Sequence, residues 1–177
     1  MAKVWDYKSN DNDKLAEKVE KDRTIVMTKP SMAQYLVNRI TFEPDDTACE
    51  PCKGDGAFLD AIPCQKVWFE INEDKDYLTS NTVVDYTISN PPFIPRKLFW
   101  AFQQKAMETT RKKIYWLINL QSMNVFTPNR LEEMKDAGWF IQSQHIVADK
   151  RWFGRYCFIE IGKKDNGYYT WKNGVPF

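Results

Sequence analysis

The chain has 177 residues, of which 43% are hydrophobic and 15% aromatic, and its formal net charge at pH 7 is +1. This composition excludes an intrinsically disordered chain, and the length predicts one domain, residues 1–177, with a substantial core. No apolar run approaches a membrane span and the first residues lack a signal-peptide core, so we expect a cytoplasmic protein without membrane contact.

Helical and extended patterns alternate along the chain. The expected strands lie near residues 46–50, 66–71, 83–89, 113–120, 139–147 and 155–162. The expected helices lie near residues 14–21, 30–40, 56–62, 95–109 and 128–137. Helices between strands act as crossovers, so the pattern predicts an α/β fold with a mostly parallel sheet. The last two strands are joined by a short loop and should pair antiparallel.

Two shorter segments also carry predictions. The cations at 111–113 are typical of a helix C-terminus, where they offset the helix dipole. Residues 165–167, Asp-Asn-Gly, predict a hairpin turn before a last extended segment at 168–171.

A glycine turn follows the first expected strand, within residues 47–59. Gly54 and Gly56 allow the backbone to approach a ligand closely, and the helix that follows offers N–H groups without a helical partner. Leu59 stands where a dinucleotide site would have a third glycine, and the sequence has no Gly-Lys-Ser/Thr phosphate loop. The turn is therefore weak evidence for a nicotinamide cofactor.

Two acidic residues follow this turn. Glu70 ends an apolar strand, where a carboxylate can accept hydrogen bonds from both hydroxyls of an adenosine ribose. Asp76, Tyr77 and Leu78 then place a second acid and an apolar pair where an adenine could be read and sandwiched. Each acid alone is more often a solvated surface charge, but the ordered set is harder to dismiss.

The most informative motif is Asn90-Pro91-Pro92-Phe93, directly after a strand rich in β-branched residues. The prolines stiffen the turn, and the Asn90 oxygen and a proline carbonyl can accept hydrogen bonds from an NH2 group. Such contacts help to methylate an amine whose lone pair is delocalised into a ring or carbonyl. Phe93 can stack on a flat substrate. The alternative is an ordinary turn after a strand.

Cys49, Cys52, Cys64 and Cys157 allow a disulfide framework, a metal site or a redox pair at positions 49 and 52. A redox pair would need a thioredoxin-like surround, and the lone His145 cannot complete a zinc site. We expect reduced thiols that are buried or line a cofactor, and no bound metal.

The charges divide unevenly between the halves of the chain. Residues 1–89 have 11 Lys/Arg and 17 Asp/Glu, whereas residues 90–177 have 14 and 7. A basic half after the Asn90 turn favours a polyanionic substrate. The clearest cluster is residues 150–156, where Lys150, Arg151 and Arg155 alternate with aromatic residues that include Trp152. It suits phosphate contact and base stacking, or else a loop whose rings pack into the core.

Together these motifs resemble the S-adenosylmethionine-dependent adenine-N6 DNA methyltransferases, in the order with the cofactor motifs first. The resemblance rests on Glu50-Pro51-Cys52-x-Gly54-x-Gly56-x-Phe58, then Glu70, Asp76 and the Asn90 turn. Residues 27–37 resemble the opening helix of that family, although Lys29 departs from its Thr-Pro pattern. The resemblance covers about residues 24–162.

The resemblance implies a Rossmann-like methyltransferase sheet with helices on both faces, an antiparallel C-terminal strand, and S-adenosylmethionine as the cofactor. The residues that it places at the cofactor are Thr28, Glu50, Pro51, Cys52, Gly54, Gly56, Phe58, Glu70, Asp76, Tyr77 and Asn90. Glu70 would hold the ribose and Asp76 the adenine amine. Only five residues separate these two acids, so a helix usual in the family is trimmed.

By the same resemblance, Asn90 and the carbonyl of Pro91 polarise the target amine, on a turn that Pro92 stiffens. Phe93 stacks on the extruded base, and catalysis is placement of the nitrogen, with no metal and no covalent intermediate. Arg96 and Lys97, just after the turn, join the residues expected to contact nucleic acid.

The substrate stays open among three alternatives. Asn-Pro-Pro turns also serve enzymes that methylate a protein glutamine or a guanine of RNA, and a weakly active DNA-binding subunit of a modification complex would retain the same motifs. The resemblance implies a bacterial, phage or viral setting. Only 84 residues follow Phe93, and the remaining strands and helices of the sheet use nearly all of them, so we expect a minimal catalytic domain without a separate target-recognition domain. DNA is the expected partner, with a specificity subunit or a second copy of the chain as further candidates.

Overall fold

The computed structural model describes residues 27–150 and 154–172. The helix expected at 14–21 and the nucleic-acid contacts expected at Arg151 and Trp152 lie outside the described residues.

Four helices and six strands make up the described chain. The helices are α1 (Pro30–Val37), α2 (Ala57–Ala61), α3 (Arg96–Thr109) and α4 (Pro128–Asp136). The strands are β1 (Thr47–Glu50), β2 (Gln65–Trp68), β3 (Val84–Ser89), β4 (Thr110–Asn119), β5 (Phe140–Val147) and β6 (Tyr156–Gly162). Short 3-10 turns lie at Ile71–Glu73, Tyr77–Thr79 and Leu120–Val125.

All six strands form one sheet in the order β2-β1-β3-β4-β6-β5. β1 pairs parallel with β2 and β3, and β3 pairs parallel with β4. β6 is antiparallel to both β4 and β5, so five strands share one direction and β6 is reversed. The predicted α/β sheet with an antiparallel C-terminal strand is confirmed.

The order of the strands reverses at β1. The chain passes from β1 outward to β2 and then returns across β1 to β3. The crossovers leave a crevice at such a switch point, outside the carboxyl ends of the strands, and open α/β sheets bind ligands there. Here the crevice lies between the ends of β1 and β3, where the glycine turn and the Asn90 turn begin.

Helices cover both faces of the sheet, and β4 shows how alternation builds the two cores. Tyr115 and Leu117 pack in the cluster that contains residues of α1 and α2. Ile114, Trp116 and Ile118 pack in the other cluster, which contains residues of α3 and α4. Side chains of a strand point alternately to opposite faces, so a central strand between two helical layers is apolar throughout its middle.

The interpretation of residues 111–113 as a helix end is wrong, because α3 ends at Thr109 and β4 begins at once. Arg111 lies on the strand and donates from Nε and Nη2 to Asp85, at 2.9 Å each. Lys112 pairs with Asp46, and Lys113 with Glu160. The three cations therefore neutralise carboxylates of neighbouring segments.

Two other expectations need correction. β2 stops at Trp68 instead of residue 71, because Glu70 bridges back to Lys75 and begins a 3-10 turn. The hairpin after Asp165 does not form: Asp165 Oδ1 accepts from the N–H of Gly167 at 2.9 Å, and residues 163–172 contain bends without a strand. The Asp-Asn-Gly sequence makes a local turn, and none of the described residues after it, 168–172, pairs as a strand.

Among the described residues, no helix combines the length and the apolar character that crossing a membrane requires.

Candidate active site

The ends of β1 and β3 are joined by a buried hydrogen bond. Glu50, the last residue of β1, is 1% exposed and accepts from the hydroxyl of Ser89, the last residue of β3. The same Glu50 oxygen accepts from the backbone N–H of Cys52 at 3.2 Å. One carboxyl group thus fixes the start of the glycine turn relative to the start of the Asn90 turn.

Burial raises the pKa of Glu50 to about 8, although the hydrogen bonds from Ser89 and Cys52 lower it, and the charge of Glu70 raises it further. The protonated carboxyl therefore predominates at neutral pH. A buried neutral acid avoids the cost of an unpaired buried charge and still anchors two neighbours.

The glycine turn is held from the end of β2. Gly54 and Gly56 have φ of 49° and 85°, the left-handed region that favours glycine. The N–H of Gly54 donates to Glu70 Oε2 at 2.9 Å, and Glu70 Oε1 accepts from the backbone and side-chain amides of Asn72 at 3.2 and 3.0 Å. Glu70 thus positions the turn. Three of its roughly four lone-pair sites are occupied, which leaves one for a further donor.

Asp76 is half-buried and caps the next 3-10 turn, since Oδ1 accepts from the N–H of Leu78 at 2.9 Å. The second carboxylate oxygen of Asp76, Oδ2, can accept a hydrogen bond from a ligand.

Two residues expected at the cofactor lie in the core instead. Tyr77 is 3% exposed, packs in one cluster with Cys49, Val84 and Phe102, and its hydroxyl is 3.2 Å from that of Thr109. Phe58 is buried, and its ring stacks on Phe158 with centroids 6.2 Å apart. An aromatic residue near a ligand-binding motif can either contact the ligand or pack in the core, and its burial decides between these two roles. We exclude both side chains from the site.

The Asn90 turn directly follows β3, at the point where the strand order reverses. Asn90 Nδ2 donates to Thr28 Oγ1 at 3.2 Å, and Thr28 is itself buried just before α1. Asn90 Oδ1 is buried and has no hydrogen-bond partner within residues 27–150 and 154–172. Pro91 is buried, Pro92 half-buried. Phe93 is half-buried, with its ring edge-on to Tyr156 at 6.2 Å.

Most of the expected cofactor residues therefore meet at one crevice. Pro51 is buried and Cys52 half-buried between Glu50 and the glycine turn. The described cysteines are free, and no cluster of His, Cys, Asp and Glu in the described ranges could hold a metal ion.

Four of the six expected nucleic-acid contacts are described, and all four are exposed. Arg96 and Lys97 open α3, just after the Asn90 turn. Lys150 follows β5 and Arg155 precedes β6. β5 ends and β6 begins at the edge where β3 ends, so the four cations lie on the same edge of the sheet as the Asn90 turn.

Sequence reasoning missed Ser89. A polar residue as the last member of a buried strand, next to the Asn90 turn, was a usable signal for it. Tyr156 belongs to the cluster expected at residues 150–156, but its contact with Phe93 was not predicted, because that contact arises only from the position of β6 in the sheet.

Solved structures of methyltransferases share this fold. The structure aligns over 92% of this chain with 69% of a candidate class I S-adenosylmethionine-dependent methyltransferase from Listeria monocytogenes, with a TM-score of 0.64 and 15% identity. A candidate RNA methyltransferase from Pyrococcus horikoshii aligns over 89% of this chain and 98% of its own, with a TM-score of 0.58 and 15% identity.

A third structure is magnesium protoporphyrin IX methyltransferase from Synechocystis with bound S-adenosylmethionine, which aligns over 76% of this chain and 77% of its own, with a TM-score of 0.52 and 9% identity. A scan against protein-family models and a search of curated proteins both find no match. At these identities the likeness concerns the fold.

Proposed function

We propose that this chain is an S-adenosylmethionine-dependent methyltransferase whose target is the N6 amine of adenine in DNA. The observation that carries the proposal is the buried side-chain oxygen of Asn90, which has no partner within the described residues. A buried polar atom without a partner costs about 1–3 kcal/mol. Its position in the switch-point crevice indicates that a ligand supplies the donor.

The residues at the crevice fit the cofactor. Glu70 has one acceptor site left, which suits a ribose hydroxyl, and the turn at Gly54 and Gly56 leads into α2, whose first amides have no partner within the helix. When bound, S-adenosylmethionine supplies an electrophilic methyl group on a sulfonium. The neighbouring folds, one of them with S-adenosylmethionine bound, support this choice.

The Asn90 turn supplies acceptors for the amine that receives the methyl group. Asn90 Oδ1 and the carbonyl of Pro91 each accept one N–H of the exocyclic NH2, which leaves the nitrogen lone pair for the methyl group. Both acceptors become stronger partners as positive charge develops on nitrogen, so they favour the transition state over the ground state. Thr28 holds the Asn90 amide in this orientation.

Phe93 completes the pocket for a planar target. Its half-buried ring is braced by Tyr156, which suits stacking against an extruded base. Extrusion costs a few kcal/mol, and one stacked aromatic ring recovers about 1–3 kcal/mol of it.

The charges around the crevice favour a polyanion over a protein substrate. Arg96, Lys97, Lys150 and Arg155 are exposed and lie on the edge of the sheet where the Asn90 turn begins. RNA is the second candidate, because the Pyrococcus horikoshii structure with the same fold is described as a candidate RNA methyltransferase. A protein-glutamine methyltransferase and a weakly active DNA-binding subunit are the remaining outcomes of the test.

The test supplies methyl-labelled S-adenosylmethionine with adenine-containing DNA, RNA and cell protein in separate reactions. We expect label in DNA, recovered as N6-methyladenine, and labelling at a rate lower by two or more orders of magnitude with the Asn90→Ala variant as matched control. DNA already methylated at N6 should not accept label. Label in RNA or protein alone, or none in any polymer, would overturn the DNA assignment.

A further inference from the structure

A surface cleft lies between α1 and the end of β5. Lys29, Met32 and Tyr35 line one side, and His145, Ile146 and Lys150 line the other. We name it the α1–β5 cleft. Only Lys150 among these residues was expected to contact a substrate.

The cleft adjoins the candidate active site on two sides. Thr28, bonded to Asn90, directly precedes Lys29 at the start of the cleft. On the other side, Val147 of the cleft pairs with Tyr156, whose ring touches Phe93. A strand whose target base lies at Asn90 and Phe93 would therefore place its neighbouring nucleotide at this cleft.

An aromatic pair occupies the cleft wall. The hydroxyl of Tyr35 lies 3.1 Å from Nε2 of His145, across 110 residues, and the two ring centroids are 5.7 Å apart. Tyr35 is nevertheless 51% exposed. Burial, and then the charge of Arg39, lower the pKa of His145, so its ring is neutral at pH 7. An exposed ring that is fixed by a partner offers a stacking surface at a small entropic cost.

The charges of the cleft complement a phosphate. Lys29 and Lys150 line it, and Arg39 lies close enough to His145 to lower its pKa. Among the described residues that line the cleft, the one carboxylate is Asp149, which is buried and lies 3.3 Å from Lys29. Cations interleaved with aromatic rings are the usual surface for single-stranded nucleic acid, since every base has a π-face and every link a phosphate.

We propose that the α1–β5 cleft holds the nucleotide next to the target base in a single-stranded or locally opened nucleic acid. The base stacks on Tyr35 and His145, and its phosphate contacts Lys29 and Lys150. The site is tolerant of sequence because stacking reads no base edge. This inference rests on the proposed function, in that the target base occupies the Asn90 turn.

The test measures the affinity of a fluorescent, adenine-containing single strand of roughly 12 nucleotides by anisotropy. Tyr35→Ala combined with His145→Ala should weaken binding about 5- to 150-fold, the range for losing one base stack. Tyr35→Phe keeps the ring and loses only the hydroxyl that holds it, so it should weaken binding much less than the double variant does. Tyr168→Ala is the matched control, because Tyr168 is 49% exposed and lies beyond the far end of β6.

A strand with an abasic site next to the target adenine separates stacking from folding effects. Wild type should lose affinity for that strand by a similar factor, and the double variant should lose little more. Thermal unfolding and S-adenosylmethionine affinity of the double variant should match those of Tyr168→Ala.

The outcomes separate the two proposals. If wild type methylates DNA or RNA but the double variant binds the strand as tightly as Tyr168→Ala does, the cleft inference is wrong and the methyltransferase proposal stands. If wild type labels protein alone, both proposals fail.

Discussion

Asn90 and Thr28 are 62 residues apart in sequence, and their side chains meet at 3.2 Å in the crevice. Because the Nδ2 atom of Asn90 is engaged by the Thr28 hydroxyl, its Oδ1 atom is directed away as the acceptor. The opening segment of the described chain therefore sets the orientation of the amide that the proposed chemistry requires.

Asn90→Ala should lower the rate of methyl transfer by two or more orders of magnitude and leave S-adenosylmethionine affinity nearly unchanged. The lost acceptor acts mainly as charge develops on the target nitrogen. Thr28→Val should lower the rate of methyl transfer by a smaller factor, roughly 5-fold, because it removes only one orienting hydrogen bond of about 1 kcal/mol. Single-turnover methylation and calorimetry measure the two effects. A rate near that of wild type for Asn90→Ala would exclude the mechanism.

Phe93→Ala should lower methylation activity less than Asn90→Ala does, by the equivalent of the ~1–3 kcal/mol of one base stack. Phe93→Trp should retain activity. Phe93 also packs against the core cluster that contains Trp116, so thermal unfolding must accompany the kinetics. If both variants lose activity equally and unfold at lower temperature, the ring serves the core and not the substrate.

Glu70→Ala should weaken S-adenosylmethionine binding about 10- to 100-fold, or ~1.5–3 kcal/mol. The loss has two sources: the acceptor for a ribose hydroxyl, and the anchor that Gly54 N–H uses. Asn72→Ala is the control, because it removes a donor from Glu70 Oε1 and leaves the anchor intact. Asp76→Ala should act in the same direction and less. Calorimetry that finds wild-type affinity in folded Glu70→Ala would end this assignment.

Glu50→Gln should change how stability depends on pH. Burial raises the pKa of Glu50 from 4.5 to about 8, so between these values the folded chain holds a proton that the unfolded chain has released. The free energy of unfolding therefore falls as pH rises through this window, by an amount on the order of a few kcal/mol. Gln resembles the protonated acid, so the variant should match wild type near pH 4.5 and exceed it at pH 8.

Urea unfolding at the two pH values measures this difference. Asp85→Asn is the control, because its hydrogen bonds from Arg111 lower the pKa of Asp85. Asp85 is then ionised in both the folded and the unfolded state above about pH 5. The difference in unfolding free energy between Asp85→Asn and wild type should therefore be constant over most of the window. If the difference in unfolding free energy between Glu50→Gln and wild type is equally independent of pH, Glu50 is already ionised in the folded chain.

Local pattern was sufficient for most of the fold. Short runs rich in β-branched residues correctly predicted buried strands such as β3. Each predicted helix within the described residues lies within a few residues of its expected bounds. The wrong predictions concern local sequence patterns that are compatible with two different structures. The cations at 111–113 suit a helix end or a paired strand, and only the carboxylates of Asp46, Asp85 and Glu160 decide.

The candidate site was predictable only in part, for a related reason. Motifs identify the residues that turn at the carboxyl ends of strands, and Glu50, Glu70 and Asn90 do meet there. They cannot tell a ring beside a ligand from a ring in the core, as Tyr77 and Phe58 show. Contacts such as Tyr35 with His145 join segments 110 residues apart, and only the order of the strands brings them together.

The exposed cations at the crevice should make DNA binding steeply dependent on salt, because phosphate contacts dominate when few base edges are read. Replacing Lys150 and Arg155 by Gln should lower the slope of log affinity against log salt by about two phosphate equivalents. S-adenosylmethionine affinity should not change, since neither residue contacts the glycine turn. Lys164→Gln, on an exposed residue beyond the far end of β6, is the matched control and should lower the slope by less than one. A slope that both variants leave equal to that of wild type would show that DNA approaches by another face of the sheet.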